Sequence, residues 1–263
     1  MTEAAKPEKR ALHPYVCTPA YNGQVDSDFA HSLAETTFMC GKAGVELTAG
    51  VLGNVGFIEL ARNIFVKKFL DDPELKDCTH LFFLDGDLKF EWRAFLGILC
   101  AGMPVAAGVY RRRQEPEDYP FKPAENPEGG GLWFVDDWLQ CERVPTGFLC
   151  IAREVLEEMA KDCRRVYTSD HPTGIPWLFE LKYEPMEGED MTRLIGEDYS
   201  FCDKYVAKYG QYVPVWSNLD FVHHGFKGNL FKWMEAEKAK ADRGEVSKMG
   251  LPKAEVEPTS SAA

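Results

Sequence analysis

The sequence predicts an α/β fold: a Rossmann-like domain with a mostly parallel central sheet flanked by helices. Short apolar runs suited to buried strands alternate with longer amphipathic stretches, the pattern of βαβ units with right-handed crossovers. A chain of 263 residues that is 45% hydrophobic and 13% aromatic supplies the core of one large domain. No internal repeat and no linker divides it, so a single domain is expected. Its boundaries are expected at 1–12 for a flexible N-terminus, 13–228 for the domain, and 229–263 for a C-terminal helix and disordered tail.

The elements follow in order. His13 to Pro19 reads as a first strand, and Asp26 or Ser27 can cap a helix carrying Phe29, Leu33, Thr36 and Cys40 on one face, stopped by Gly41 and Gly44. Val45 to Leu52 reads as a second strand. Gly56 to Leu70 is an amphipathic helix through Phe57, Leu60, Ala61, Ile64 and Phe65, ended by Asp72-Pro73. His80 to Leu84 is a third strand, a helix buries Trp92, Phe95, Leu96 and Leu99, and Pro104 to Val109 makes a fourth strand. Gln114 to Gly131, rich in proline and glycine, is loop, a lid or hairpin tip. Trp133 to Val144 and Phe148 to Ala152 are strands about a Thr146-Gly147 turn, and Arg153 to Cys163 is a helix with Leu156 and Met159 inward. Val166 to Gly196 lacks periodicity, the mark of a functional irregular segment. A helix from Asp198 to Tyr209 stops at Gly210, Gln211 to Val222 reads as a strand pair around Pro214, and a charge-laced helix begins after Asn229.

Composition excludes several classes. A formal net charge of −12 opposes a broad nucleic-acid footprint, although Arg111, Arg112 and Arg113 leave a local basic patch open. Eight cysteines without any C-x-x-C pair fit reduced, buried thiols rather than a zinc knuckle or disulfide frame. The opening MTEAAKPEKR has no apolar signal core, and the uncharged run Ala94 to Tyr110 is too short for a membrane span. A cytoplasmic protein is expected.

The most informative stretch is His80 to Asp87, HLFFLDGD, where an apolar strand runs into two carboxylates. Ligands of open α/β sheets bind outside the carboxyl ends of strands, which puts Asp85 and Asp87 at a site. Two acids spaced by Gly86 suit a hard divalent cation that bridges to phosphate oxygens; Asp-Gly is also a common turn signal.

Taken with its neighbours, this motif forms a series: Thr18-Pro19-Ala20-Tyr21 after the first strand, Ala61-Arg62-Asn63 in a helix, Asp85-Gly86-Asp87, Gly196-Glu197-Asp198 before a helix, and His223-His224-Gly225 near the end. From Pro14 to Asn229 the chain resembles the GT-A glycosyltransferases, particularly the small bacterial and viral members. The resemblance implies the GT-A fold and a metal-dependent hexosyl- or pentosyltransferase that moves a sugar from a nucleotide-diphosphate donor to a hydroxyl acceptor. It implies Mn²⁺ or Mg²⁺ as cofactor, held by Asp87, Asp85 and His223, with His223 preferred over His224 and required as neutral imidazole. It implies a nucleotide-sugar site built from Pro19, Tyr21, Arg62, Asp85 and Gly147: Tyr21 to stack on the base, Arg62 as a fixed cation, Gly147 for close backbone approach to the sugar. Asp198 and Glu197 would carry the catalytic base, Asp198 preferred, although an acidic pair there also suits helix capping. Trp138 and Trp177 are candidates for stacking on sugar faces.

Two other classes compete. A haloacid-dehalogenase-type phosphatase also ends a strand in Asp-x-Asp, but wants it near the N-terminus and a Thr or Val where Lys89 stands. A catalytically silent sugar-nucleotide or glycan-binding module could use the same scaffold. The acceptor is open between a glycan, a modified DNA base and a protein side chain.

Overall fold

The computed structural model describes residues 11–248 apart from 187 and 189. Most of the expected flexible N-terminus and the end of the expected disordered tail lie outside the described residues. Strand β1 (Pro14–Ala20) leads to helix α1 (Ser27–Lys42), which buries Phe29, Thr36 and Cys40 as the periodicity requires. β2 (Thr48–Gly53) and α2 (Ile58–Asp71) follow, then a single 3₁₀ turn over Pro73–Leu75 whose first amide is capped by Asp72. β3 (His80–Leu84) is buried along nearly its whole length, and a two-residue strand β4 (Leu88–Lys89) precedes α3 (Trp92–Cys100) and β5 (Val105–Ala107).

The second half runs β6 (Lys122–Pro123), β7 (Phe134–Val135), β8 (Trp138–Arg143), β9 (Phe148–Ala152), α4 (Arg153–Asp162), β10 (Arg165–Thr168), β11 (His171–Pro176), β12 (Lys182–Pro185) and β13 (Thr192–Ile195). It closes with α5 (Glu197–Tyr209), β14 (Val213–Val215), β15 (Asp220–His223), β16 (Phe226–Asn229) and α6 (Leu230–Asp242).

Nine strands form the central sheet in the order β2-β1-β3-β9-β5-β14-β8-β6, with β7 on β8. β1 is parallel to β2 and β3, and β5 to β14, while β9 lies antiparallel between β3 and β5 and β8 antiparallel to β14. The sheet is therefore mixed: the shared direction predicted from alternation holds for most strands, and β8 and β9 run against it. These two are halves of one extended run bent at Pro145-Thr146-Gly147, the first half pairing with β14 and the second with β3 and β5.

Alternation along β3 shows a sheet buried on both faces. Leu81 and Phe83 enter one apolar cluster with Phe65 and Phe69 of α2, Leu156 of α4, Phe201 of α5 and Trp233 of α6. Phe82 and Leu84 enter the other with Phe29 of α1 and Phe95 of α3. Helix α6, expected at the head of a tail, thus packs its Leu230, Trp233 and Met234 into the main core.

Three expectations are revised. The second strand begins at Thr48 rather than Val45. The stretch Val166 to Gly196 holds two hairpins, β10–β11 and β12–β13, in which β10 and β12 bury no residue fully and β11 and β13 are buried only at their ends. The expected strand pair over Gln211 to Val222 is two strands of different sheets: β14 joins the central sheet, and β15 pairs with β16 and β4. All eight cysteines are free, and six are buried. Among the described residues no helix is long and apolar enough to cross a membrane.

Candidate functional site

A cleft of about 510 Å³ opens at the carboxyl ends of β1 and β3, walled by Pro19, Tyr21, Arg62, Asp85, Asp87 and Arg113 among others. The parallel register of β1 with β3 delivers Pro19 and Asp85 to the same rim, where strand ends meet solvent. Tyr21 stands 75% exposed on the lip.

Arg62 is the organising charge. It is buried on α2, where its guanidinium forms an ion pair with Glu197 at the start of α5 and lies 3.6 Å from Asp85 Oδ1. Burial would weaken its proton, but the charges of Glu197 and Asp85 outweigh that and hold it protonated. Asp85 Oδ2 in turn accepts the Tyr110 hydroxyl at 2.6 Å, which, with burial as the larger cause, drives the phenol well above its ordinary pKa. A β-carbon at Gly147 would overlap both the Asp85 carboxylate and the Tyr110 hydroxyl, and the Gly147 carbonyl accepts the Asp85 N–H at 3.0 Å. Gly147 therefore makes room for Asp85, and it is not on the cleft wall where close approach to a sugar was expected.

A second group forms beside it. His223, buried at the end of β15, comes within 3.6 Å of Asp87 Oδ1 through Nε2, while its Nδ1 faces the Arg111 carbonyl at 2.9 Å. A carbonyl only accepts, so Nδ1 carries the proton and Nε2 is left with its lone pair as an acceptor. Arg113 sits against both, 2.5 Å from Asp87 Oδ2 and donating from Nε to His223 Nε2 at 3.0 Å. Burial raises the Asp87 carboxyl, yet the Arg113 guanidinium beside it prevails and holds it below the usual carboxylate range. His224 turns away to Asp26, with Nδ1 3.1 Å from Oδ2.

Of the three expected metal ligands the fold joins two, Asp87 and His223. Asp85 is drawn off to Arg62 and Tyr110, and among the described residues no group of three or more His, Cys, Asp or Glu side chains is gathered to hold a metal ion. Asp87 and the Nε2 lone pair of His223 are still a hard oxygen and a borderline nitrogen with a fixed tautomer. That donor pair is of the kind that could hold a divalent cation.

Glu197 and Asp198 divide their roles. Glu197 is buried and neutralised by Arg62, whereas among the described residues no ion pair holds Asp198, which accepts the Tyr199 N–H at 2.7 Å. Burial and the nearby Glu197 charge push the Asp198 carboxyl up to about 6, against the opposing pull of Arg62. Neither carboxylate lines the cleft itself.

Sequence reasoning missed three residues. Asn63 anchors the chain ahead of β12, accepting the Leu178 and Phe179 N–H groups at 2.8 and 3.0 Å and donating to the Phe179 carbonyl at 2.6 Å. Tyr110 and Arg113 follow the fourth strand of the central sheet, and their position past a strand's carboxyl end was the available signal. Trp138 packs against Trp216, and Trp177 lies on a different surface depression from the cleft. No protein-family model and no curated protein matches this chain.

Proposed function

We propose that the protein is a divalent-cation-dependent glycosyltransferase of the GT-A type, moving a hexose or pentose from a nucleotide-diphosphate donor to a hydroxyl acceptor. The observation that carries this reading is the approach of Asp87, on the wall of a cleft that also holds Arg62 and Asp85, to within 3.6 Å of the unprotonated Nε2 of His223. Asp87 and His223 are the side chains that would hold Mn²⁺ or Mg²⁺; such a cation, when bound, neutralises the charge of the departing diphosphate.

The remaining roles belong to the chain. Tyr21, exposed on the lip, stacks on the nucleotide base with Pro19 behind it. Asp85, fixed by Arg62 and Tyr110, accepts hydrogen bonds from the ribose. Asp198 takes the proton of the attacking hydroxyl, being the carboxylate whose environment favours protonation. Arg62 pairs with Glu197 and holds Asp85 in place rather than meeting the donor first.

The acceptor read here is a glycan hydroxyl. The triple arginine does not form a patch for DNA: Arg111 is buried, Arg112 pairs with Asp118 at 3.0 Å, and Arg113 faces Asp87.

Donor hydrolysis across a panel of nucleotide sugars with Mn²⁺ tests the reading. Asp87→Ala is expected to lower turnover about 100-fold or more while circular dichroism stays unchanged. Turnover retained in EDTA, or by the variant, overturns it. The incomplete ligand group favours one second reading, a binding module without catalysis, and donor binding in calorimetry with no hydrolysis would establish that instead.

A further inference from the structure

The reading above leaves Arg113 without a role. Its two neighbours are structural: the Arg111 guanidinium donates to the Lys227 and Gln114 carbonyls at 3.2 and 2.7 Å and lies over the Phe226 ring, and the Arg112 N–H is held by the Asp118 carbonyl at 2.8 Å. The backbone that presents Arg113 is thus anchored on both sides. Its side chain is half exposed and faces the cleft.

The guanidinium engages the two groups that a divalent cation would need, Asp87 Oδ2 at 2.5 Å and the Nε2 lone pair of His223 at 3.0 Å. An imidazole nitrogen has one lone pair, so it cannot serve Arg113 Nε–H and a metal ion together. A cation that enters therefore evicts a guanidinium, and the evicted group stays tethered within the cleft. Its planar fork of donors matches phosphate oxygens.

We propose that Arg113 is a resident occupant of the cation position and a ligand of the donor diphosphate. It neutralises Asp87 in the free protein and transfers to the diphosphate when cation and nucleotide enter together. The inference rests on the reading of the cleft as a nucleoside-diphosphate-sugar site. One consequence is coupling: a cation alone must displace Arg113 without giving it a new partner, whereas a cation arriving with diphosphate supplies that partner at once. Each ligand then raises the affinity of the other.

Loss of the free Mn²⁺ signal in electron paramagnetic resonance measures cation affinity independently of turnover. It is read for the wild type, Arg113→Ala and Arg113→Lys, alone and with uridine, guanosine, adenosine and cytidine diphosphates, with Asp87→Ala as the site control. Without nucleotide, Arg113→Ala is expected to bind Mn²⁺ about tenfold more tightly than the wild type, because nothing has to leave. With Mn²⁺ present its affinity for the preferred diphosphate falls about tenfold, the loss of a charge-assisted hydrogen bond, so the coupling shrinks from both sides. Arg113→Lys, which keeps the charge and loses the fork, falls between. If all three proteins bind Mn²⁺ and diphosphate equally well, the role of Arg113 is overturned while the reading of the cleft stands. If none binds Mn²⁺ with any diphosphate, both fall.

Discussion

Gly147 and Arg62 hold the site together from opposite sides of Asp85. A methyl group at position 147 has no space, because the carboxylate of Asp85 and the hydroxyl of Tyr110 occupy the direction a β-carbon would take. Gly147→Ala is expected to displace Asp85, lowering stability by about 1 to 3 kcal/mol in urea unfolding and weakening nucleotide binding in calorimetry. A variant with wild-type values in both would show that Asp85 has room to shift. Arg62 presents the reverse case, a buried cation between Glu197 and Asp85. Arg62→Met leaves two carboxylates without their counter-charge and is expected to cost about 3 to 5 kcal/mol. Adding Glu197→Gln removes one of those charges and should restore part of the loss. Strict additivity of the two substitutions in a double-mutant cycle would mean that the pair contributes nothing specific.

Helix α5 sets the pH behaviour expected of the site. Its first turn carries Glu197, paired with Arg62, and Asp198, whose carboxyl burial and the Glu197 charge raise to about 6. A base works only when deprotonated, so turnover is expected to fall as pH drops through about 6 and to be flat above about 7. Asp87 cannot produce this limb, since its carboxyl is held below the usual range. A kcat profile of wild type against Asp198→Asn checks the assignment: the variant should lose most activity together with the acidic limb, and a limb that survives in it assigns the titration elsewhere. The helices themselves were legible because each hides a repeating stripe, as with Phe29, Thr36 and Cys40 of α1 or Phe65 and Phe69 of α2. The β10–β11 and β12–β13 hairpins were not, since β10 and β12 bury no residue fully and β11 and β13 are buried only at their ends, which leaves no apolar alternation in the sequence to mark them. The direction of β8 and β9 was also invisible, because apolar alternation says which side chains are buried and nothing about which way a strand runs.

Across the whole molecule, what could be read of the site was whatever lies within a few residues: Asp85 with Asp87, Glu197 with Asp198. What could not be read are the unions between distant segments. Arg62 meets Glu197 across 135 positions, and His223 and Arg113 come together across 110. Tertiary folding therefore decided that Asp85 would serve Arg62 and Tyr110 and leave Asp87 with His223. The same partition predicts how ligands stabilise the chain. With a formal net charge of −12, the protein repels a free diphosphate except where Arg113 and a cation face it. Mn²⁺ alone meets the engaged Asp87 and His223 and should raise the melting temperature little; a nucleoside diphosphate alone should do the same. Together, at about 100 times their dissociation constants, they should add roughly 2.7 kcal/mol, a rise of about 5 to 10 °C for a domain of this size. Asp87→Ala should melt near the unliganded wild type and show no joint shift. Separate shifts that merely add up, or a joint shift that survives in Asp87→Ala, would place cation and diphosphate at independent sites and remove the basis for a single reaction centre at the sheet's edge.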